Sequence, residues 1–356
     1  MSAQEGAATN PLIDSITIII TTSPTPSAPS TDLISSILDS FKLHCSGLLS
    51  CRVIVIFDTY DRISESMRLK KGQVTHALAQ AHELYKTNVK DLILKQWCPE
   101  AEQDASHISL IDNELAEYGS PHLAENHVAL SISRTHDKRI TFIEPIARLG
   151  FGLAVRSALR VTETPYVWVQ QHDWPLVRDI PLDSILEVMQ ASEAEDTSAP
   201  PVKYVCLPAI RMISYATSPH VQPFPALRTL TAQLKRDFVP TSRPDVVVPL
   251  TPLFFWHDKP HIASTAHYLA RIFPSRLAIA RGDFIEDHVG QRARAQMKEG
   301  NWAKWACWLY YPEDGREICL KHRNGRKWRG MEAELQAKEM FLGIEMRKHD
   351  SLSPVS

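Results

Sequence analysis

Short runs of apolar, largely β-branched residues recur along the chain, separated by stretches whose apolar residues return at helical spacing. Ile16–Thr21, Cys51–Asp58, Arg139–Glu144 and Tyr166–Gln171 are the first four runs, and Lys203–Ile210 and Asp245–Trp256 supply two more. Each is predicted to be a strand, because β-branched and aromatic residues suit a pleated, buried surface. The proline-rich Ser23–Ser30 is a loop, and "STDLISSILDSF" after it carries a cap signal followed by helical apolar spacing. Val74–Trp97 is predicted as a long amphipathic helix, Arg148–Pro165 as a glycine-led helix feeding the fourth strand, and Gly282–Lys298 as a further helix. Continuously apolar strands alternating with helices imply an α/β fold built on a mostly parallel sheet.

The remaining stretches break this rhythm. Residues 1–14 are small and polar and are expected to be disordered. Residues 99–138 are polar and irregular, an expected insertion or mobile loop. Lys304–His322 reads as a hairpin turning at Glu313-Asp314-Gly315, and the chain after about residue 331 as a charged helix and loose tail. Residues 15–330 would then form one domain.

Composition narrows the classes. A hydrophobic content of 44% with 22% charged residues is that of an ordinary globular protein. The net charge of −2, with no basic stripe, gives no electrostatic case for nucleic acid as a partner. The apolar "ITIIITT" is far too short to span a membrane. Six cysteines without a CxxC pair are expected to be reduced, which points to the cytoplasm.

The chemistry concentrates at strand ends. In open α/β sheets ligands bind beyond the carboxyl ends of the strands. Asp58 closes the second predicted strand, and "QQHD" (Gln170–Asp173) closes the fourth. Either carboxylate alone is equally well a turn former. With Gly152, Ala154 and Arg156 in the preceding helix and Tyr166 opening the strand, the stretch resembles the GT-A glycosyltransferases, a Rossmann-like fold, in particular the inverting enzymes of the family-2 type.

That resemblance implies transfer of a single sugar from a nucleotide-diphosphate sugar to a hydroxyl acceptor, whether glycan, protein or small molecule. Counted from Tyr166, Gln171 and Asp173 stand where the family's Asp-x-Asp motif lies, so this chain lacks the first carboxylate. The resemblance implies a divalent cation, Mn²⁺ or Mg²⁺, held by Asp173 and by His322. Asp58 and Gln171 would meet the nucleoside, and Arg156, Arg323 and Arg326 the diphosphate. Glu286-Asp287 matches the acidic pair near the acceptor, with Asp287 as general base and Glu286 in reserve. Read without the resemblance, the same pair complements a helix dipole.

Trp256, His257, Asp258 and His261 would form an acceptor-side wall. The synthase signature Gln-x-x-Arg-Trp is absent, which favours single transfer over polymer synthesis. A degenerate domain acting as a scaffold is an alternative, supported by Gln171. A sugar-phosphate nucleotidyltransferase is another, but the loop after the first strand offers no glycine, arginine or lysine for phosphates.

Overall fold

The computed structural model describes residues 11–98, 108–193 and 200–336. An eleven-stranded sheet runs through the molecule in the order β10-β11-β13-β9-β12-β8-β1-β2-β7-β6-β5. The strands are β1 (Ile16–Thr22), β2 (Arg52–Phe57), β5 (Ile108–Glu117), β6 (His127–Thr135), β7 (Ile140–Pro145), β8 (Tyr166–Gln171), β9 (Tyr204–Cys206), β10 (Arg236–Phe238), β11 (Val248–Pro252), β12 (His261–Ser264) and β13 (Cys307–Tyr310). β3 (Arg62–Ile63) and β4 (Gln73–Val74) pair separately. The central β8-β1-β2-β7 block is parallel, and only β6, β11 and β12 oppose the shared strand direction.

The apolar runs explain this centre. Every residue of β1 is buried, as are all but the first of β2 and all but the last of β8. The helices Asp32–His44, His76–Trp97 and Phe151–Arg160 supply apolar faces to the same core, with Phe41 meeting Trp168 edge to face at 6.1 Å. Each fully buried aliphatic side chain contributes about 1.5–3 kcal/mol.

Three expectations need correction. Much of residues 99–138 is regular: β5 and β6 pair with each other and β6 with β7. In β6 buried residues alternate with partly exposed ones, so a half-buried strand resembles a polar loop in sequence. Lys304–His322 is not a hairpin. β13 already lies between β9 and β11, so neither edge is left for a returning strand. The chain turns at Pro312–Gly315 and crosses to pair Leu320 with Leu176. Finally, Pro11–Ser15 is a helical turn; the rest of the expected disordered segment, residues 99–107 and the tail beyond 336 lie outside the described residues.

Parallel register puts three strand ends side by side. Asp58 N donates to Thr22 O at 2.8 Å, and His172 N donates to Thr21 O at 3.1 Å. The end of β1 is thus flanked by Asp58 on one side and by His172-Asp173 on the other. No helix among the described residues is long and apolar enough to cross a membrane.

Candidate active site

A cleft of about 380 Å³ opens at this edge of the sheet, a size suited to a small-molecule ligand. Asp58, Gln171, Asp173, Glu286, Asp287, His322 and Arg326 all line it. Residues from four separate parts of the sequence therefore share one wall.

Asp173 is held by the 322–326 loop. Its Oδ2 accepts from Gly325 N at 2.8 Å and lies 3.1 Å from His322 Nε2, while its backbone carbonyl accepts from Arg323 N at 2.8 Å. Burial pushes this carboxyl up, but His322, His172 and the Gly325 amide outweigh it and hold it below the usual range. The loop reaches so close because residue 325 is glycine: a Cβ there would stand 2.5 Å from His172 Nε2 and 3.2 Å from Asp173 Oδ2. Asn324, at φ 54°, takes the left-handed turn just before it. His322 stacks on Trp174 with ring centres 4.4 Å apart, which fixes its plane. Behind Asp173, His172 Nδ1 bonds the Thr22 hydroxyl at 2.8 Å, and that hydroxyl bonds Tyr85 at 2.7 Å.

Asp58 has a different task. Its carboxylate accepts from Leu149 N at 2.7 Å, Gly150 N at 3.0 Å and Thr59 N at 3.0 Å. It therefore clamps the start of helix Phe151–Arg160 to the end of β2. Burial raises its pKa despite these three donors.

A crossing of two backbones aims the acidic segment at the cleft. A Cβ on Gly150 would lie 2.4 Å from Gly282 Cα, and both residues have positive φ, 81° and 91°. Gly282 N donates to Leu149 O at 2.7 Å, and Gly152 N donates to Asp283 O at 3.1 Å. Phe284, Glu286 and Asp287 follow directly and face the same cavity. Glu286 is half-buried, with His257 Nδ1 at 3.5 Å and Lys259 Nζ at 4.0 Å from its carboxylate. Burial raises its pKa, but His257 and Lys259 prevail and draw it down to about 2. Asp287 is exposed.

Two expected phosphate ligands lie elsewhere. Arg156 is 2% exposed and bonds the Glu117 carbonyl. The N-terminal turn of its helix faces the cleft through Phe151 and Ala154, and Arg156 comes after that turn, turned toward β5. Burial, with Arg160 nearby, lowers its pKa to about 10. Arg323 places its guanidinium 5.4 Å from the Trp328 ring centre, away from the cleft wall. The expected acceptor-side wall also divides. Trp256 and His261 are fully buried core residues, packed with Tyr204 and Tyr268. Asp258 lines the cleft, and His257 stands behind Glu286.

Sequence reading missed the cations that do line it, Lys70, Arg148 and Lys259, and the rings of Tyr60 and Trp174. Only Trp174 carried a signal, by its place directly after Asp173.

The donor set can be tested against a divalent cation. Among the described residues no group of three or more His, Cys, Asp or Glu is arranged to hold a metal. Asp173 and His322 offer two donors 3.1 Å apart. Two atoms each about 2.1 Å from one ion, at right angles, stand about 3 Å apart, so the pair fits one edge of an octahedron. Such a cation would draw its remaining ligands from water and phosphate oxygens.

No family model matches the sequence, and no curated protein matches it. Among solved structures, TarS 1–349 from S. aureus aligns at a TM-score of 0.39 and 10% identity, covering 86% of this chain and 59% of that one. The mannosyltransferase PcManGT from Pyrobaculum calidifontis, solved with GDP-Man and Mn²⁺, aligns at 0.36 and 12%, over 88% and 62%. Glucosyl-3-phosphoglycerate synthase from Mycobacterium tuberculosis, solved with Mn²⁺, UDP and glucosyl-3-phosphoglycerate, aligns at 0.34 and 13%, over 87% and 72%. The chain thus spans less than two thirds of the first two. These overlaps are too loose to assign a function.

Proposed function

We propose that the cleft binds a nucleotide-diphosphate sugar and that the protein is a glycosyltransferase of the GT-A type, passing one sugar to a hydroxyl acceptor with inversion. One observation carries this reading: Asp173, His322 and Arg326 share a cleft with an exposed carboxylate, Asp287, for which no hydrogen bond or ion pair is found among the described residues. The first group suits a leaving diphosphate and the second an incoming hydroxyl.

Asp173 and His322 would hold the divalent cation with the diphosphate oxygens. When bound, it neutralises the charge that develops on the leaving group. Arg326 adds a fixed positive charge from the same loop. Asp287 takes the acceptor's hydroxyl proton as its oxygen attacks the anomeric carbon. The bond from that carbon to the diphosphate breaks, and the bonding electrons leave with the diphosphate. Glu286, drawn down to about 2 by His257 and Lys259, is held as a weak base. Asp58 lines the same cleft and orders the Leu149–Gly150 turn beside the donor.

Gln171 favours a second reading, a binding module without turnover. Its amide N–H is given to Asp258 O at 2.7 Å, and the position supplies no charge to a cation. A panel of nucleotide sugars, assayed for hydrolysis and transfer with and without Mn²⁺, separates the two. Cation-dependent release of the nucleoside diphosphate supports the transferase. Binding without any release supports the module.

A further inference from the structure

Beside Glu286 lies a carboxyl for which the proposed chemistry has no use. Asp258 is 3% exposed. Its Oδ2 accepts from Glu286 N at 3.3 Å, and its own N–H donates to Glu286 Oε2 at 3.4 Å. Among the described residues no cation forms an ion pair with it. The adjacent Lys259 approaches Glu286 instead, at 4.0 Å.

Asp258 Oδ1, Trp256 Nε1, His261 Nε2 and the Tyr268 hydroxyl are all buried without a hydrogen-bond partner among the described residues. Their rings form one cluster, with Trp256–Tyr268 centres 4.9 Å apart, His261–Tyr268 5.6 Å and Trp256–His261 6.1 Å. The tautomer of His261 is set by its neighbour. Nδ1 lies 2.7 Å from the Lys259 carbonyl oxygen, which can only accept, so Nδ1 carries the proton and Nε2 is an acceptor. His261 Nε2 and Asp258 Oδ1 are thus two buried polar atoms left without a partner among the described residues. A buried carboxylate with no cation partner and an ionised neighbour is costly, and a neutral carboxylic acid avoids that cost.

We propose that Asp258 is a neutral carboxylic acid and a positioning residue for Glu286 and the turn that carries Asp287. Its proton sits on Oδ1, the oxygen that the Glu286 N–H leaves free. Its Oδ2 and N–H then fix Glu286 from both ends. Burial beside the Glu286 charge agrees, raising the Asp258 pKa well above the usual range. The protonation state stands on its own, and the positioning role rests on the glycosyltransferase reading.

Two measurements on the full chain test this. The infrared difference spectrum between wild type and Asp258→Asn at pH 7 is expected to lose a protonated-carboxyl C=O band. Loss of a carboxylate band instead overturns the neutral assignment. In transfer assays Asp258→Ala is expected to lose kcat at least tenfold with little change in donor KM. Asp258→Asn, a neutral isostere, is expected to restore most of that loss. Equal loss in both variants, or a loss seen only in KM, overturns the positioning role. A wild type that binds donor but transfers nothing defeats the glycosyltransferase reading and the positioning role together, and the infrared result still decides the proton.

Discussion

His322 Nε2 and Asp173 Oδ2 lie 3.1 Å apart, although 149 positions separate them in the chain. The fold brings them together by laying the 322–326 loop across the end of β8, where Gly325 N bonds the same carboxylate oxygen. Asp173→Ala removes the only carboxylate of this pair. Calorimetric titration with a nucleoside diphosphate and Mn²⁺ should show affinity weakened on the order of 100-fold, and His322→Ala should weaken it less. Unchanged affinity in Asp173→Ala would remove Asp173 from the site.

Gly325→Ala probes the same contact by space alone. The new Cβ would press on His172 Nε2 and Asp173 Oδ2 at 2.5 and 3.2 Å. The loop must lift, so cation-dependent donor binding should fall about tenfold or more, with a modest loss of stability. A variant with wild-type binding would show that the loop is free to shift at no cost.

The acidic pair should split by role. Asp287→Asn is expected to lower kcat by about 10²–10⁴-fold while leaving donor binding intact. Glu286→Gln should cost less in kcat and more in melting temperature, because Glu286 is held by Asp258 and His257. If Glu286→Gln proves the more damaging to chemistry, the two roles are exchanged.

Acid should destabilise the protein early. Burial lowers His82 and His257 to about 4, His261 to about 3 and His267 to about 4. Below the unfolded value near 6.5 the unfolded chain binds protons that these folded histidines refuse, so stability falls as pH falls. Each group contributes a slope of up to about 1.4 kcal/mol per pH unit until its folded pKa is reached. Glu286, held near 2, adds a further loss only below about pH 4.5, where its unfolded counterpart takes up a proton. Melting temperatures at pH 7.5, 6.0 and 5.0 should decline steadily. A flat profile over that range would contradict the buried neutral histidines.

The parallel centre was legible because β1, β2, β7 and β8 are apolar runs that need no partner information to be seen. β5 and β6 were not, since a strand such as β6, buried on one face, carries Ser and Arg on the other and imitates a loop. β13 was misjudged for a topological reason: that both its edges are occupied by β9 and β11 is visible only in the sheet. At the site, Asp58 and Asp173 announced themselves as strand-end carboxylates. Arg156 misled because its helix starts at the cleft, yet the residue itself comes after the first turn, on a face that meets the carbonyl of Glu117. Lys70, Arg148 and Lys259 carried no signal, because a surface cation in a loop looks alike whether or not a cavity lies beneath it.

The most direct test of the account is titration of the wild-type protein with nucleotide-diphosphate sugars by calorimetry, with Mn²⁺ and again with chelator. Saturable binding of at least one donor, lost on chelation and lost in Asp173→Ala, is the predicted result. No binding of any donor in either condition, or binding indifferent to both the cation and Asp173, would contradict it.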